Sequence, residues 1–454
     1  MDLQKLYPSF LVGLLVLLSF LVATDARAQN FNSDNLDFVY QDHIASVKFH
    51  IAGIVLSYPI VELNSPARLE LRFDDFDGEK DYIYTIRHCN ADWTFSDLTE
   101  LEYLSGFNGE RLRDFEFSFR TNASYTHFWL LLPNEDIRWT KSGNYVLQIF
   151  EDNDEKTPVL TRRFMVVEPI FRVIPQLKRP ARVSKLRSHQ EMDFIVSHKG
   201  IVVQNPQLEV KATVLQNGRW DNAINEVKPF LQREEQLIFD YQDRIVFPAG
   251  KEFRQLDLRS FRYKSGLMRT IEEFDDGYEI ELYTEEKRIN QNYTDINDIN
   301  GQFVIENLDV PNAVDRQVAQ NLNIDFINFN AIDDVHMLQG DYAYVRFSLS
   351  SPAPLVDADE VYLMGSMSDW QLREEFRMPY NDISHTYDTE VLLKQGFYNY
   401  YFVGWSEDKG LVDIGETEGN WFETENEYTI LIYYRPFGTR YDRLVAVQTF
   451  DTRQ

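Results

Sequence analysis

Between Asp37 and Glu168 the apolar residues fall into runs of four to nine, most of them alternating with polar residues and each closed by a turn signal. Alternation at a period of two sends successive side chains to opposite faces of a sheet, whereas a helix needs apolar residues three and four apart. The candidate strands are Ala45–His50, Pro59–Glu62, Arg68–Phe73, Asp81–Arg87, Asp114–Arg120, Tyr125–Leu132, Tyr145–Phe150 and Val159–Val167. Turn signals stand at Asp77-Gly78, Pro133-Asn134, Ser142-Gly143-Asn144 and Asn153-Asp154. So many short strands in about 130 residues predict an immunoglobulin-like or fibronectin-like β-sandwich.

The same pattern continues, so the chain reads as all-β, a series of consecutive sandwich domains. At 454 residues it should hold two to four of them, because single cores stop growing beyond roughly 250–300 residues. Its 33 Phe and 25 Tyr favour strands and supply a packed core. The expected cuts give a signal segment 1–28, a first unit 29–168, a middle β-rich unit 169–320 and a C-terminal sandwich 321–454. The first cut is placed at Glu168-Pro169, before the proline- and lysine-bearing stretch 175–185. In the middle unit the strands are Glu191–Val196, Gln207–Leu215, Gln236–Phe239, Phe253–Leu258 and Tyr278–Tyr283; the polar run 285–300 has almost no apolar periodicity and reads as a loop. In the last unit they are Tyr342–Leu349, Glu360–Met364, Phe397–Val403, Thr429–Tyr434 and Leu444–Thr449.

Charge and cysteine usage exclude several classes. A net charge of −28 opposes sequence-independent nucleic-acid binding, which needs Lys and Arg on the phosphates, and docking on anionic lipid. Lys5, the apolar run Phe10–Ala23 and Ala26-Arg27-Ala28 have the make-up of a secretory signal cleaved near Ala28; in a two-membrane bacterium this sends the mature chain to the periplasm. No membrane insertion is expected of the mature chain. Cys89 is the single cysteine, so no intramolecular disulfide and no cysteine-built zinc site can form, and a buried small hydrophobe is its expected role. The eight histidines show no metal-ligand spacing, and neither a phosphate-binding glycine loop nor HExxH occurs. No metal, cofactor or small-molecule ligand is expected.

The densest chemistry lies at Tyr82–Asn108. It starts as a strand, Tyr82, Tyr84 and Ile86 alternating with Ile83, Thr85 and Arg87, and the alternation breaks at His88. A long connection follows that mixes turn-forming Asn90, Asp92 and Ser96 with Trp93, Tyr103 and Phe107. Ser96 or Asp97 is expected to cap a helical turn over Leu98–Leu104. Adjacent residues on a strand face opposite ways, so His88 and Cys89 should not pair as base and nucleophile. Two roles remain open: His88 and Trp93 anchor the connection on the sandwich, or Asp92, Glu102, Tyr103 and Phe107 form a protein-contact patch, aromatics ringed by polar groups being typical of interface centres. His88, Asp92, Trp93, Glu102, Tyr103, Phe107 and Asn108 are the protein-contact candidates.

HCNADW at His88–Trp93, EYLSGFN at Glu102–Asn108, the triplet Tyr125-Thr126-His127, SGNY at Ser142–Tyr145 and RRFMVV at Arg162–Val167 occur in this order. Together they resemble the plug-protein family of the type IX secretion system, closely over Phe38–Glu168 and loosely beyond. The resemblance implies a non-enzymatic periplasmic protein whose partner is the outer-membrane translocon barrel, which it keeps closed when no substrate occupies it. A second, looser resemblance, of Val361–Leu372 and Gln395–Trp405, is to early-set immunoglobulin-like modules that bind glycogen or starch. It implies an aromatic platform of Trp370, Trp405 and Trp421 for a glycan; core packing is the plainer reading of these residues. A secreted glycan-binding protein is therefore the alternative function.

Overall fold

Alternating segments pair into ladders whose apolar faces close on one another, giving three two-sheet sandwiches in a computed structural model that describes residues 37–152, 157–309 and 336–453. The signal segment Met1–Ala28 and the Asn153-Asp154 turn lie outside the described residues. In the first sandwich one sheet runs Phe38–Val39, Leu160–Val167, Gly143–Glu151, Tyr82–Cys89, Glu110–Leu112, with Ile60–Glu62 parallel to Leu160–Val167. The facing sheet runs Ile44–Ile51, Leu69–Asp75, Thr126–Leu132, Asp114–Phe117. Phe73 and Phe128 stack at 5.2 Å and present their faces to the edge of Tyr82, 5.6 and 5.0 Å away, so aromatic contacts join the sheets at the centre of the core. All eight strands expected in this unit are present. The all-β, sandwich-built fold class holds throughout, and among the described residues no helix is long and apolar enough to cross a membrane.

Beyond Glu168, pairing does not follow the consecutive cuts. Glu427–Tyr434 pairs with Val210–Gln216 in register from Val210 opposite Tyr434 to Gln216 opposite Tyr428, and Arg443–Asp451 extends that sheet. The second sandwich thus joins strands from 172–248 to the last two strands of the chain. Its core holds Met192, Phe194 and Leu237 together with Tyr428, Ile430 and Ile432. Phe253–Leu258 and Tyr278–Tyr283, expected in the middle unit, belong instead to the third sandwich: Arg254–Asp257 pairs with Gly396–Ser406, and Gly277–Leu282 lies parallel to Tyr342–Ser350. The third sandwich, about residues 254–413, is therefore inserted into the second, and the chain crosses between them twice, at 249–253 and 414–426. Sequence periodicity could not reveal this, because a strand's alternation marks its buried face and not its partner.

The sandwiches also bury surface against each other. Cys89, Trp93, Val146 and Met165 on the outer face of the first pack on Leu215, Leu431, Tyr433 and Leu444 of the second. Glu427–Tyr434 is thereby covered on both faces, which explains its unbroken apolar run TILIYY. Between first and third, Asp74 accepts hydrogen bonds from Lys394 Nζ at 2.5 Å, Tyr342 Oη at 2.5 Å and His127 Nδ1 at 2.6 Å. All four side chains are buried. Burial opposes ionisation of Asp74 most strongly, yet Lys394 and His127 together hold it below the ordinary carboxylate range.

Candidate functional site

Strand Tyr82–Cys89 enters the long connection at His88, and the ring of His88 fixes its course. Nε2 lies 3.2 Å from the Ser142 carbonyl, which can only accept, so Nε2 carries the proton and Nδ1 accepts from Ser96 Oγ at 2.9 Å. Tyr145 and Tyr441 meet the ring edge-on at 4.8 and 5.4 Å. Burial drives the His88 pKa down to about 4, so the imidazole is neutral at pH 7. Ser96 is thus spent on His88, and the helical turn is Glu100–Tyr103, opened by Thr99 and not by Ser96 or Asp97. Glu102 Oε2 accepts from Thr99 N at 2.8 Å and from Thr99 Oγ1 at 2.9 Å. These bonds, the backbone one foremost, lower the Glu102 pKa.

The expected patch divides into an internal part and an outward part. Trp93, at φ 64°, is buried edge-on against Trp220 at 4.9 Å, with the Arg163 guanidinium 4.7 Å from its ring centroid. Tyr103 is buried beneath the connection, its hydroxyl 3.4 Å from the Ile86 carbonyl. Asp92 is exposed but spends Oδ1 on Thr94, 3.0 Å from its N and 2.6 Å from its Oγ1. Glu102 pairs with Arg440 in the 435–442 turn of the second sandwich, and Asp442 of that turn accepts the Ala91 amide at 3.0 Å. Sequence reasoning missed Arg440 and Asp442, since nothing local marks residues about 340 positions away as partners.

What faces outward is a pair of apolar side chains. Leu101, within the helical turn, is 85% exposed and Phe107, directly after the short strand Leu104–Gly106, is 78% exposed. Asn108 fixes Phe107 by copying a strand pairing: its Oδ1 accepts from Ile86 N at 2.8 Å and its Nδ2 donates to Ile86 O at 3.1 Å. Gly106 is required by geometry, because at φ 115° an added Cβ would lie 1.8 Å from the Asp136 carbonyl oxygen.

Elsewhere the chemistry is occupied. The Cys89 thiol is buried and its pKa is pushed up to about 12 by desolvation, which leaves no thiolate at neutral pH. Trp370 meets Phe253 edge-on at 5.9 Å, and the Arg219 guanidinium sits 4.4 Å from its ring centroid. Trp405 packs on the same small cluster, with Tyr362 and Val403, while Trp421 lies apart from it with Lys251 Nζ 5.6 Å from its ring. All three are half-buried.

The motif strings thus converge in space. His88 meets Ser142 and Tyr103, Asn144 Nδ2 donates to the Asn90 carbonyl at 3.1 Å, and Arg163 covers Trp93, whereas His127 bonds Asp74 at the contact with the third sandwich. The type 9 secretion system plug protein 1st domain matches residues 44–168, the span that builds the first sandwich. Over the whole fold the chain is similar to a hypothetical protein from Parabacteroides merdae ATCC 43184, known from a 2.30 Å crystal structure: TM-score 0.83 and 33% identity, over 92% of this chain and 100% of that one. None of the curated proteins matches the chain. The first sandwich, where these motifs meet, therefore belongs to the type IX secretion system plug protein family as its 1st domain.

Proposed function

We propose that the protein acts in type IX secretion as a non-enzymatic periplasmic plug, seated against the periplasmic mouth of the outer-membrane translocon barrel and closing it in the absence of substrate. Family membership of the first sandwich carries this reading. The connection that holds the motif residues supports it chemically: His88 is neutral and enclosed, Cys89 is a buried thiol, and Asp92 and Glu102 are bonded within the protein, so the stretch is built to hold a surface in place. Leu101 and Phe107, with exposed Glu100 next to Leu101 and bonded to Asn108, are the contact we assign to the barrel. A small apolar centre in a polar rim suits a gate that must leave when cargo arrives, because such interfaces hold moderately and release.

Pull-down of the tagged mature protein from detergent-solubilised envelopes tests the assignment. The barrel is expected to copurify, and Phe107→Arg together with Leu101→Arg should cut its recovery at least tenfold while leaving the melting temperature within about 2 °C. Recovery unchanged by the double substitution would reject the patch, and failure of the native chain to retain the barrel under gentle conditions would reject the plug. Charge reversal at Glu102 is the poorer probe, since it also breaks the Thr99 and Arg440 contacts.

A further inference from the structure

Where the chain crosses between the second and third sandwiches, three carboxylates converge. Glu252 lies on the outgoing crossing, Glu425 on the returning one, and Asp298 in the polar run that had read as a bare loop. One oxygen from each lies within 4.8 Å of the others, a spread bridged by a cation that takes oxygens at about 2.3–2.6 Å. Crowding alone does not make a site, but Glu252 adds a separate observation. Its side chain is 1% exposed, Oε1 accepts from Tyr293 Oη at 2.5 Å and from Glu425 N at 3.2 Å, and the buried Oε2 has no hydrogen-bond partner. A buried acceptor left in this way costs about 1–3 kcal/mol, and more when charged, unless something fills the position. Asn300, whose amide donates to Glu425 Oε1 at 3.2 Å, likewise leaves a buried Oδ1 without a partner.

The nearby cation does not complete the arrangement. Arg453 stands 4.0 Å from Glu252 and 3.8 Å from Glu425, beyond hydrogen-bond reach, while it bonds Asp295 at 2.5 Å and Asn297 at 2.6 Å. Three carboxylates beside one distant guanidinium leave an excess of two negative charges.

We propose that Glu252, Asp298 and Glu425 bind a hard divalent cation of the calcium type, which ties the two crossings of the inserted sandwich to its own loop. An all-oxygen donor set without His or Cys selects this class over zinc or copper. The sequence alone gave no hint of it, because the ligands come from three segments up to 173 residues apart.

Terbium luminescence on the full mature chain is the direct test, with Tyr293, bonded to Glu252, as the sensitiser. Excitation of tyrosine should give Tb3+ emission that calcium chloride displaces, and saturating calcium should raise the melting temperature by about 3–6 °C over chelator-treated protein. Glu252→Gln keeps an acceptor for Tyr293 and should weaken binding at least tenfold with an unchanged circular dichroism spectrum. Arg453→Gln, which leaves every ligand in place, should tighten binding severalfold. Emission that survives Glu252→Gln would mark diffuse surface binding and overturn the proposal. So would native protein with neither emission nor a calcium-dependent melting shift, or binding lost in Arg453→Gln.

Discussion

His88 shows how one side chain can commit a stretch of chain. Enclosed by Tyr103, Tyr145 and Tyr441 and bonded to Ser96 and Ser142, it takes a proton in the fold only near pH 4, against about 6.5 in the unfolded chain. With the folded pKa depressed, its contribution is complete above pH 6.5 and is lost as pH falls towards 4, by about 3 kcal/mol over that window. We expect urea unfolding of His88→Gln to show less acid destabilisation than the native protein between pH 6.5 and 4, by about that amount; parallel pH profiles would contradict the assignment. Lys394 is a second such residue, wholly buried and paired to Asp74 across two sandwiches. Lys394→Met should cost about 3–5 kcal/mol in the same assay, because Asp74 is left buried without its cation. At this scale much was legible. The strand pattern breaks at His88, and the long aromatic connection after it could be read from the sequence, although anchoring and surface contact remained equal readings of His88 and Trp93. The partners that brace the connection from the second sandwich, Arg440 on Glu102, Asp442 on the Ala91 amide and Trp220 on Trp93, were not legible, since contact across a tertiary interface leaves no local trace.

At the level of elements, short strands set what the connection can present. Leu104–Gly106 pairs with Ile137–Trp139, Gly106 opposite Ile137, and this two-stranded piece carries Phe107 outward. Gly106→Ala sets a methyl group against the Asp136 carbonyl in a left-handed backbone, with an expected cost of about 1–3 kcal/mol. We expect both a lower melting temperature and weaker barrel recovery from that variant, since the strand that orients Phe107 must shift; recovery at the native level would detach Phe107 from the interface. The helical turn was foreseen at about the right place, but its cap was not. Ser96 and Asp97 fit the capping position as well as Thr99 by residue type, and only the His88–Ser96 bond removes the first from contention. Leu104–Gly106 and Glu110–Leu112 escaped notice because each is three residues long and mixes Gly, Ser or charge with a single Leu, which leaves no alternation to register.

For the whole molecule, the insertion of the third sandwich into the second is the main departure from a consecutive reading, and it makes the C-terminal strands part of the middle of the fold. Truncation after Asn426 removes Glu427–Tyr434 and Arg443–Asp451, two of four strands in one sheet of the second sandwich. We expect limited proteolysis of the truncated chain to cut rapidly within 172–248; protection of that span would show that it folds without the C-terminus. The sandwich class and its strands could be read from periodicity, but an inserted domain keeps the same alternation on both sides of each crossing, so nothing in the pattern marks where the chain leaves one core for another. The plug reading rests on this assembled body, with the 88–108 connection braced by the second sandwich and Phe107 held outward. Single-channel conductance of the purified translocon in a planar bilayer tests it most directly. Protein added on the periplasmic side should close the open barrel, and the Leu101→Arg, Phe107→Arg chain should not. Conductance unchanged at protein concentrations that saturate binding would contradict the plug.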